Sequence, residues 1–584
     1  MNNIPNAPEN MNGGINKVQN NQPFFPQYTP TYPAVNMPKK KKKEINFGKS
    51  DYIFCGIFAA ITVCIVFFGL FGGMGIGFTV SSLALVAAMT AYLIKKESVT
   101  VFSISSVVLS ALSCTVFVLY HDDFLSQAIA FLILIASGVL YAVSLCDKTV
   151  ADNFSGVLRL LYAAIISPVE NFAVPVTTLI RNDKKKNALQ ILIAFLAAIP
   201  VLAVVIPLLV SSDAAFEGLV TKIISSFGMS LLKLICSVLL FMLIFAFAIS
   251  CKFRLFKTDA KPVDLTKLRV VKSIFSITFL SIISFVYLVY MLSQTAYFFS
   301  AFSGILPAGY EFSFSEYARR GFFETEIIAF INLILLTLSL ALTVRREDGK
   351  LNAAFKSLIT FISAFTVLFI ATAISKMIMY IGQYGLTRLR LLTSVFMVAT
   401  AVVIIAFIVR VYVPRLNCMK YAVIISMALF TVLCIAGIDR TVAAYNVDIF
   451  LSGKTDTVDV EMLSWLSDSA TPYLLKLTDC GNEDVERRAE HAVNGIFHDY
   501  GSEWQFYDDS QLHSENKFDS GFTVSKYVAT KLLNEQKYTY DFYNSYYNGY
   551  RYDDENDDTD NEYAEELPSD EFVWDEDVDS DWLG

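Results

Sequence analysis

The chain has 584 residues, of which 54% are hydrophobic and only 17% charged, with a mean hydropathy of +0.50. Soluble domains run about 45–50% apolar and about 25% charged, so an ordinary soluble enzyme is excluded. The formal charge of −9 hides two unlike parts: residues 1–440 carry 37 basic and 21 acidic side chains, and residues 441–584 carry 9 and 34. Eight of the nine cysteines lie in or beside apolar runs, where a thiol behaves as a small hydrophobe. Cys480 is the one cysteine after residue 440, so no disulfide is expected within that region. Four histidines without ligand spacing predict no metal site, no cofactor and no histidine-based catalysis.

In chain order, residues 1–50 come first. They begin rich in Asn, Pro and Gln and close on the five lysines Lys39–Lys43. This composition predicts a disordered cytoplasmic arm with a polybasic flank, and no cleavable signal peptide is expected. The lysines set orientation and attract an anionic leaflet. Residues 51–440 then predict a membrane domain. A helix needs roughly 20 apolar residues to cross the hydrocarbon core. Such runs occur at about 52–71, 77–94, 99–120, 124–145, 188–211, 230–251, 273–299, 323–344, 353–381, 391–413 and 419–439. The predicted class is all-α, a polytopic transmembrane bundle of about eleven spans.

The loops between these runs test the count. With the lysine flank inside, the inner segments hold 28 lysines and arginines, and the outer loops hold 5: Lys222, Arg319, Arg320, Arg388 and Arg390. This asymmetry predicts a multi-pass plasma-membrane protein with a cytoplasmic N-terminus and an extracytoplasmic C-terminus. Residues 152–181 are apolar but interrupted by Pro168, Glu170, Asn171 and Pro175. A carboxylate at mid-membrane costs at least about 3 kcal/mol, and a span here would turn the most basic loop outward. The segment is therefore expected as an interfacial or re-entrant element on the inner face. The GGMGIG stretch at 72–77 follows a membrane run rather than a strand, so it predicts a tight turn and not a phosphate loop.

Charge gathers at the outer ends of three later runs. Before the run at 323–344, Ser313 and Glu316 form a capping box that predicts a helix start near Phe314. On that helix Glu316, Arg320 and Glu324 are spaced for an ion-pair ladder. Arg388 and Arg390 precede the run at 391–413, and Asp439 and Arg440 close the last one. Three motifs hold these residues: "FSEYARRGFFE", "YGLTRLR" and "DRTVAAYNVD". Together they resemble an uncharacterised family of polytopic bacterial membrane proteins, the group of domain of unknown function 4173 with the related 4153 group. The likeness covers roughly residues 50–470. It implies the membrane architecture and the helical stretch "DVEMLSWLSDSATPYLLKL" after the last span, and it implies no activity.

Three functions follow from the charged cluster. The structural one is that the charges pair with one another and with headgroups, as in an envelope-associated scaffold or sensor. The sharper one is a transporter or binder of an anionic envelope substrate or lipid. In it Arg319, Arg320, Arg388, Arg390 and Arg440 are the anion-binding candidates, and Glu316, Glu324, Glu326 and Asp439 are the supporting carboxylates. The third is a membrane enzyme on envelope lipid or glycan, but no nucleophile motif supports it and no catalytic residue is assigned. Residues 441–537 predict an extracytoplasmic helical region. Residues 538–584, dense in Asp, Glu and Tyr, predict a disordered acidic tail. The expected partners are the bilayer, an anionic lipid or envelope polymer, and envelope proteins through the acidic tail; no nucleic acid is expected.

Overall fold

The computed structural model describes residues 47–94, 99–120, 122–147, 154–172, 174–175, scattered positions between 194 and 212, and then 228–255, 269–293, 322–346, 350–414, 416–504 and 522–535. The expected disordered arm (but for its last four residues), the acidic tail and most of the run at 188–211 lie outside them.

Among the described residues, ten helices are long and apolar enough to cross a membrane. They are α1 (Lys49–Cys64, extended by a π-turn over Ile65–Leu70), α2 (Ile76–Leu93), α3 (Val101–Leu119) and α4 (Phe124–Cys146). After the short α5 (Phe154–Leu161) and α6 (Ser167–Glu170) come α7 (Met229–Lys252), α8 (Ser273–Ser293), α9 (Phe322–Leu342), α10 (Ala353–Tyr384), α11 (Arg388–Tyr412) and α12 (Cys418–Ala436). Each matches one of the predicted runs. The protein is an all-α, multi-pass membrane protein, with no strand among the described residues.

Apolar length makes these helices, and polar side chains fix their ends. Thr100, Asp123, Asn352 and Thr387 each accept a backbone N–H in the first turn of α3, α4, α10 and α11. Small residues set the packing. Ser110 Oγ meets Ser137 Oγ at 2.7 Å and Ser144 Oγ reaches Ser103 Oγ at 3.0 Å, so α3 and α4 run antiparallel with their backbones close together. A second group, α8 to α11, is joined mid-bundle where Tyr287 donates to Asn332 (2.6 Å) and Asn332 to Thr366 (2.9 Å). Helix α12 packs on α3 and α4 on one side and on α11 on the other, so it bridges the groups.

The two ends of the bundle differ. At the far end, buried Asp51 accepts from Lys252 Nζ, Tyr92 Oη (2.9 Å) and Gly48 N (2.9 Å), tying α1, α2 and α7. The described part of the 152–181 segment lies near that end. Arg159 pairs with Asp147 at 3.1 Å, and Asn171 donates to Ser250 near the end of α7. At the other end, a single residue, Gly437, separates α12 from α13 (Ile438–Leu451). Helices α13, α14 (Val460–Ser464), α15 (Thr471–Leu477), α16 (Glu483–Trp504) and α17 (Val524–Glu535) enclose a small core around Val447, Leu463, Leu474, Leu477 and Ala489. This helical tail docks on the bundle: Ile76 N, opening α2, donates to Phe522 O at 2.9 Å.

Candidate functional site

The tail end of the bundle holds two buried carboxylates, Asp439 and Asp123, close to each other. Gly437 ends α12 with φ +80°, a conformation that suits glycine. A Cβ there would lie 2.5 Å from the Tyr120 ring. The sharp turn delivers Asp439 into the first turn of α13, where a carboxylate is favoured by the helix dipole.

Asp439 is fully buried, and three elements meet on it. Arg388, the first residue of α11, grips it with two bonds, Nε to Oδ1 at 2.5 Å and Nη2 to Oδ2 at 2.7 Å. The backbone N–H of Ser467, in the tail, donates to Oδ2 at 2.9 Å. Arg388 Nη2 also reaches the carbonyl of Trp465 at 3.2 Å. A planar guanidinium suits this two-pronged contact, and a lysine would lose one prong.

A second carboxylate lies behind the first. Asp123 is buried at the N-terminus of α4 and accepts from Ser126 N (3.0 Å) and Ser126 Oγ (2.6 Å). Ser126 Oγ in turn accepts from Ile438 N at 3.1 Å, linking α4 to α13. Burial raises the Asp123 carboxyl above its ordinary value, the Asp439 charge raises it further, and the Ser126 bonds oppose both. Tyr120 Oη donates to Ile435 O at 2.6 Å. Arg440 lies beside Tyr120 and points its Nε at Tyr473 Oη, 3.5 Å away; these hydroxyls hold its pKa above the usual arginine value.

The loop before α11 is held by a different device. Asn446 Oδ1 accepts from Leu386 N (2.8 Å), and Asn446 Nδ2 donates to Leu386 O (2.7 Å). Arg390 Nη1 donates to the carbonyls of Tyr384 (2.9 Å) and Gly385 (2.5 Å), closing the end of α10. Its guanidinium lies 4.1 Å from the Tyr380 ring centre.

The structure thus brings Arg388 and Asp439 together, with Arg390 and Arg440 on neighbouring partners. Glu324 is exposed and Glu326 half-buried on α9, and neither bonds to this knot among the described residues. Arg319, Arg320 and Glu316, and with them the predicted ladder and capping box, lie outside the described residues. No group of three or more metal-ligating side chains occurs among the described residues. Sequence reading missed Asp123, Ser126, Tyr120 and Ser467, and it held Asn446 only as a member of the DRTVAAYNVD motif. One signal was available: Asp123-x-x-Ser126 opens an apolar run, the pattern of an N-cap.

A family model described as "Domain of unknown function (DUF4153)" matches residues 107–477. The chain belongs to this family. The DUF4153 match runs from within α3 to the end of α15, and so takes in every residue of the Asp439 knot from Tyr120 to Tyr473. No curated protein and no solved structure matches the chain at a significant level.

Proposed function

We propose that this DUF4153 protein is an envelope-associated scaffold or sensor whose helical tail is mechanically coupled to the ends of its spans. One observation carries the reading: a fully buried carboxylate, Asp439, takes bonds at once from a span (Arg388) and from the tail (Ser467). Asp123 and Ser126 add α4 to the same point. A displacement of the tail must then move α4, α11 and α12, or break a buried charge pair. A transport role draws less support, because Arg388 is fixed to Asp439 through Nε and Nη2 and Arg390 to the end of α10 through Nη1, so both hold protein groups in place.

The sidedness asymmetry of 28 against 5 basic residues supports a plasma-membrane location with the tail extracytoplasmic. The three motifs support a narrower place near the 4173 group. The test is a deletion strain carrying Arg388→Ala, a variant truncated after Leu451, or the intact chain. The reading requires R388A to insert normally yet behave as the truncation does. If R388A restores every phenotype that the intact chain restores and the truncation does not, the coupling reading is wrong.

A further inference from the structure

Next to the Asp439 knot is a cleft of about 420 Å³ between the start of α11 and the tail helix α14. Arg388 and Leu389 form one wall; Asp459, Glu461, Met462 and Trp465 form the other. The size falls within the roughly 300–1,000 Å³ of small-molecule clefts.

The depth of this cleft is set by α11. That helix is a membrane span beginning at Arg388, so its first turn lies at the bilayer edge. Trp465 is held at the same level because its carbonyl accepts from Arg388 Nη2. Its side of the cleft is open: Trp465 is 76% exposed and Leu389 60% exposed. Indole rings are favoured at the membrane–water interface, where the ring contacts lipid and the N–H stays hydrated.

The charges lining the cleft are of both signs. Arg388 gives Nε and Nη2 to Asp439 and Trp465, while Nη1 makes no bond among the described residues and the side chain is 43% exposed. Arg388 also stands at the N-terminus of a long helix, which favours an anion. Across the cleft Asp459 and Glu461 are both exposed carboxylates. A purely anionic headgroup would meet these two carboxylates, and a bare ammonium would meet Arg388. A ligand with a phosphate and an ammonium a few atoms apart satisfies both walls.

We propose that this cleft seats the headgroup of a zwitterionic amine phospholipid of the surrounding bilayer. The phosphate lies against Arg388 Nη1, and the ammonium lies between Asp459 and Glu461. Trp465, Leu389 and Met462 cover the glycerol and first acyl carbons. The site needs the tail docked on α11 as in the structure, but it does not need tail movement to be transmitted to the spans.

The test uses the full chain in nanodiscs whose lipids carry bromine on the upper acyl carbons, with either phosphatidylethanolamine or phosphatidylglycerol headgroups. Subtracting the fluorescence of Trp465→Phe isolates Trp465 from the other three tryptophans. Trp465 should be quenched, and the ethanolamine lipid should be preferred by roughly threefold or more at equal mole fraction, as expected of an exposed ion pair. The double variant Asp459→Asn, Glu461→Gln should quench equally with both lipids; D459N keeps a side-chain oxygen to cap α14. Equal quenching by both headgroups in the unaltered chain would make Trp465 a nonspecific anchor and overturn the site. A preference for phosphatidylglycerol, or no quenching of Trp465, would overturn it as well.

Discussion

Arg388→Ala tests the buried charge pair most directly. The substitution leaves Asp439 fully buried, with one backbone bond from Ser467 and the Asp123 carboxyl nearby. Removing one partner of a buried pair costs about 3–5 kcal/mol. The Arg388 side chain is 43% exposed, so water already reaches the site and a value of about 2–3 kcal/mol is the better expectation. Asp439→Ala should cost less, because the stranded group is then a guanidinium with access to water. Asp439→Asn should cost least, because it keeps an acceptor for Ser467 N and removes the charge facing Asp123. The assay is hydrogen–deuterium exchange of tail peptides over 460–477 in nanodiscs. At 1.4 kcal/mol per tenfold, exchange there should rise roughly 30- to 150-fold for R388A if this region opens locally. The peptides of α8, remote from the knot, serve as the internal standard. Unchanged exchange in R388A, or a larger effect from D439N than from R388A, would refute the reasoning.

Four further substitutions probe the same frame. Asp123→Asn should flatten the pH dependence of stability: a carboxyl raised in the folded state contributes fully below its unfolded value near 3.8, and that contribution is lost as pH rises through the folded value. The variant should therefore be at least as stable as the parent at pH 7, by thermal midpoint in nanodiscs, and the two should converge towards pH 4. Gly437→Ala should destabilise by about 2–4 kcal/mol, from an unfavourable φ of +80° and a methyl 2.5 Å from the Tyr120 ring; the drop in midpoint should exceed that of Gly56→Ala, where a Cβ meets nothing within 4 Å. Arg390→Lys should loosen the end of α10 by about 1–2 kcal/mol, since it keeps the charge but loses the fork onto Tyr384 and Gly385; exchange of peptides over 380–387 reads this. Asp51→Asn should weaken the far end by about 1–3 kcal/mol through the loss of Lys252, lowering the midpoint while leaving exchange at 460–477 unchanged.

The spans were legible because one quantity dominates their energetics. Twenty consecutive apolar residues leave the chain little choice but a membrane helix, whatever their packing partners. The tail core was legible in part, since the apolar spacing around Trp465 to Leu477 marks helical faces. Even so, Trp465 is exposed, and Leu463, Leu474 and Leu477 form the centre. The knot was legible only in its members. Arg388 and Asp439 stood out as charges at span ends, but they are 51 positions apart, and nothing local says that they meet. Asp123 drew no notice because an Asp beside another Asp in a short loop looks solvated. Its burial arises only when α13 turns back over α4, and that turn depends on Gly437.

The placement of the knot within the matched region has a consequence for how the tail is viewed. The DUF4153 match ends at Leu477, the last residue of α15, while α16 and α17 complete the tail core. The elements that bond to Asp439 and Asp123 (α4, α11, α13 and the loop at 465–467) all lie inside the match. The tail therefore has two layers with different work. The inner layer is joined to the spans by buried charge and backbone bonds. The outer layer closes the apolar core, with Val485, Ala489 and Val493 from α16 and Leu533 from α17. Removing the outer layer should expose that core and cost stability, yet leave the Arg388–Asp439 pair in place. Breaking the pair should do the reverse, loosening the tail as a body while its own core persists. Exchange measured separately over 438–451 and 471–480, both present in the truncated chain, distinguishes the two. If truncation after Cys480 and the D439A substitution give the same exchange pattern, the tail is one cooperative unit and the two-layer description fails.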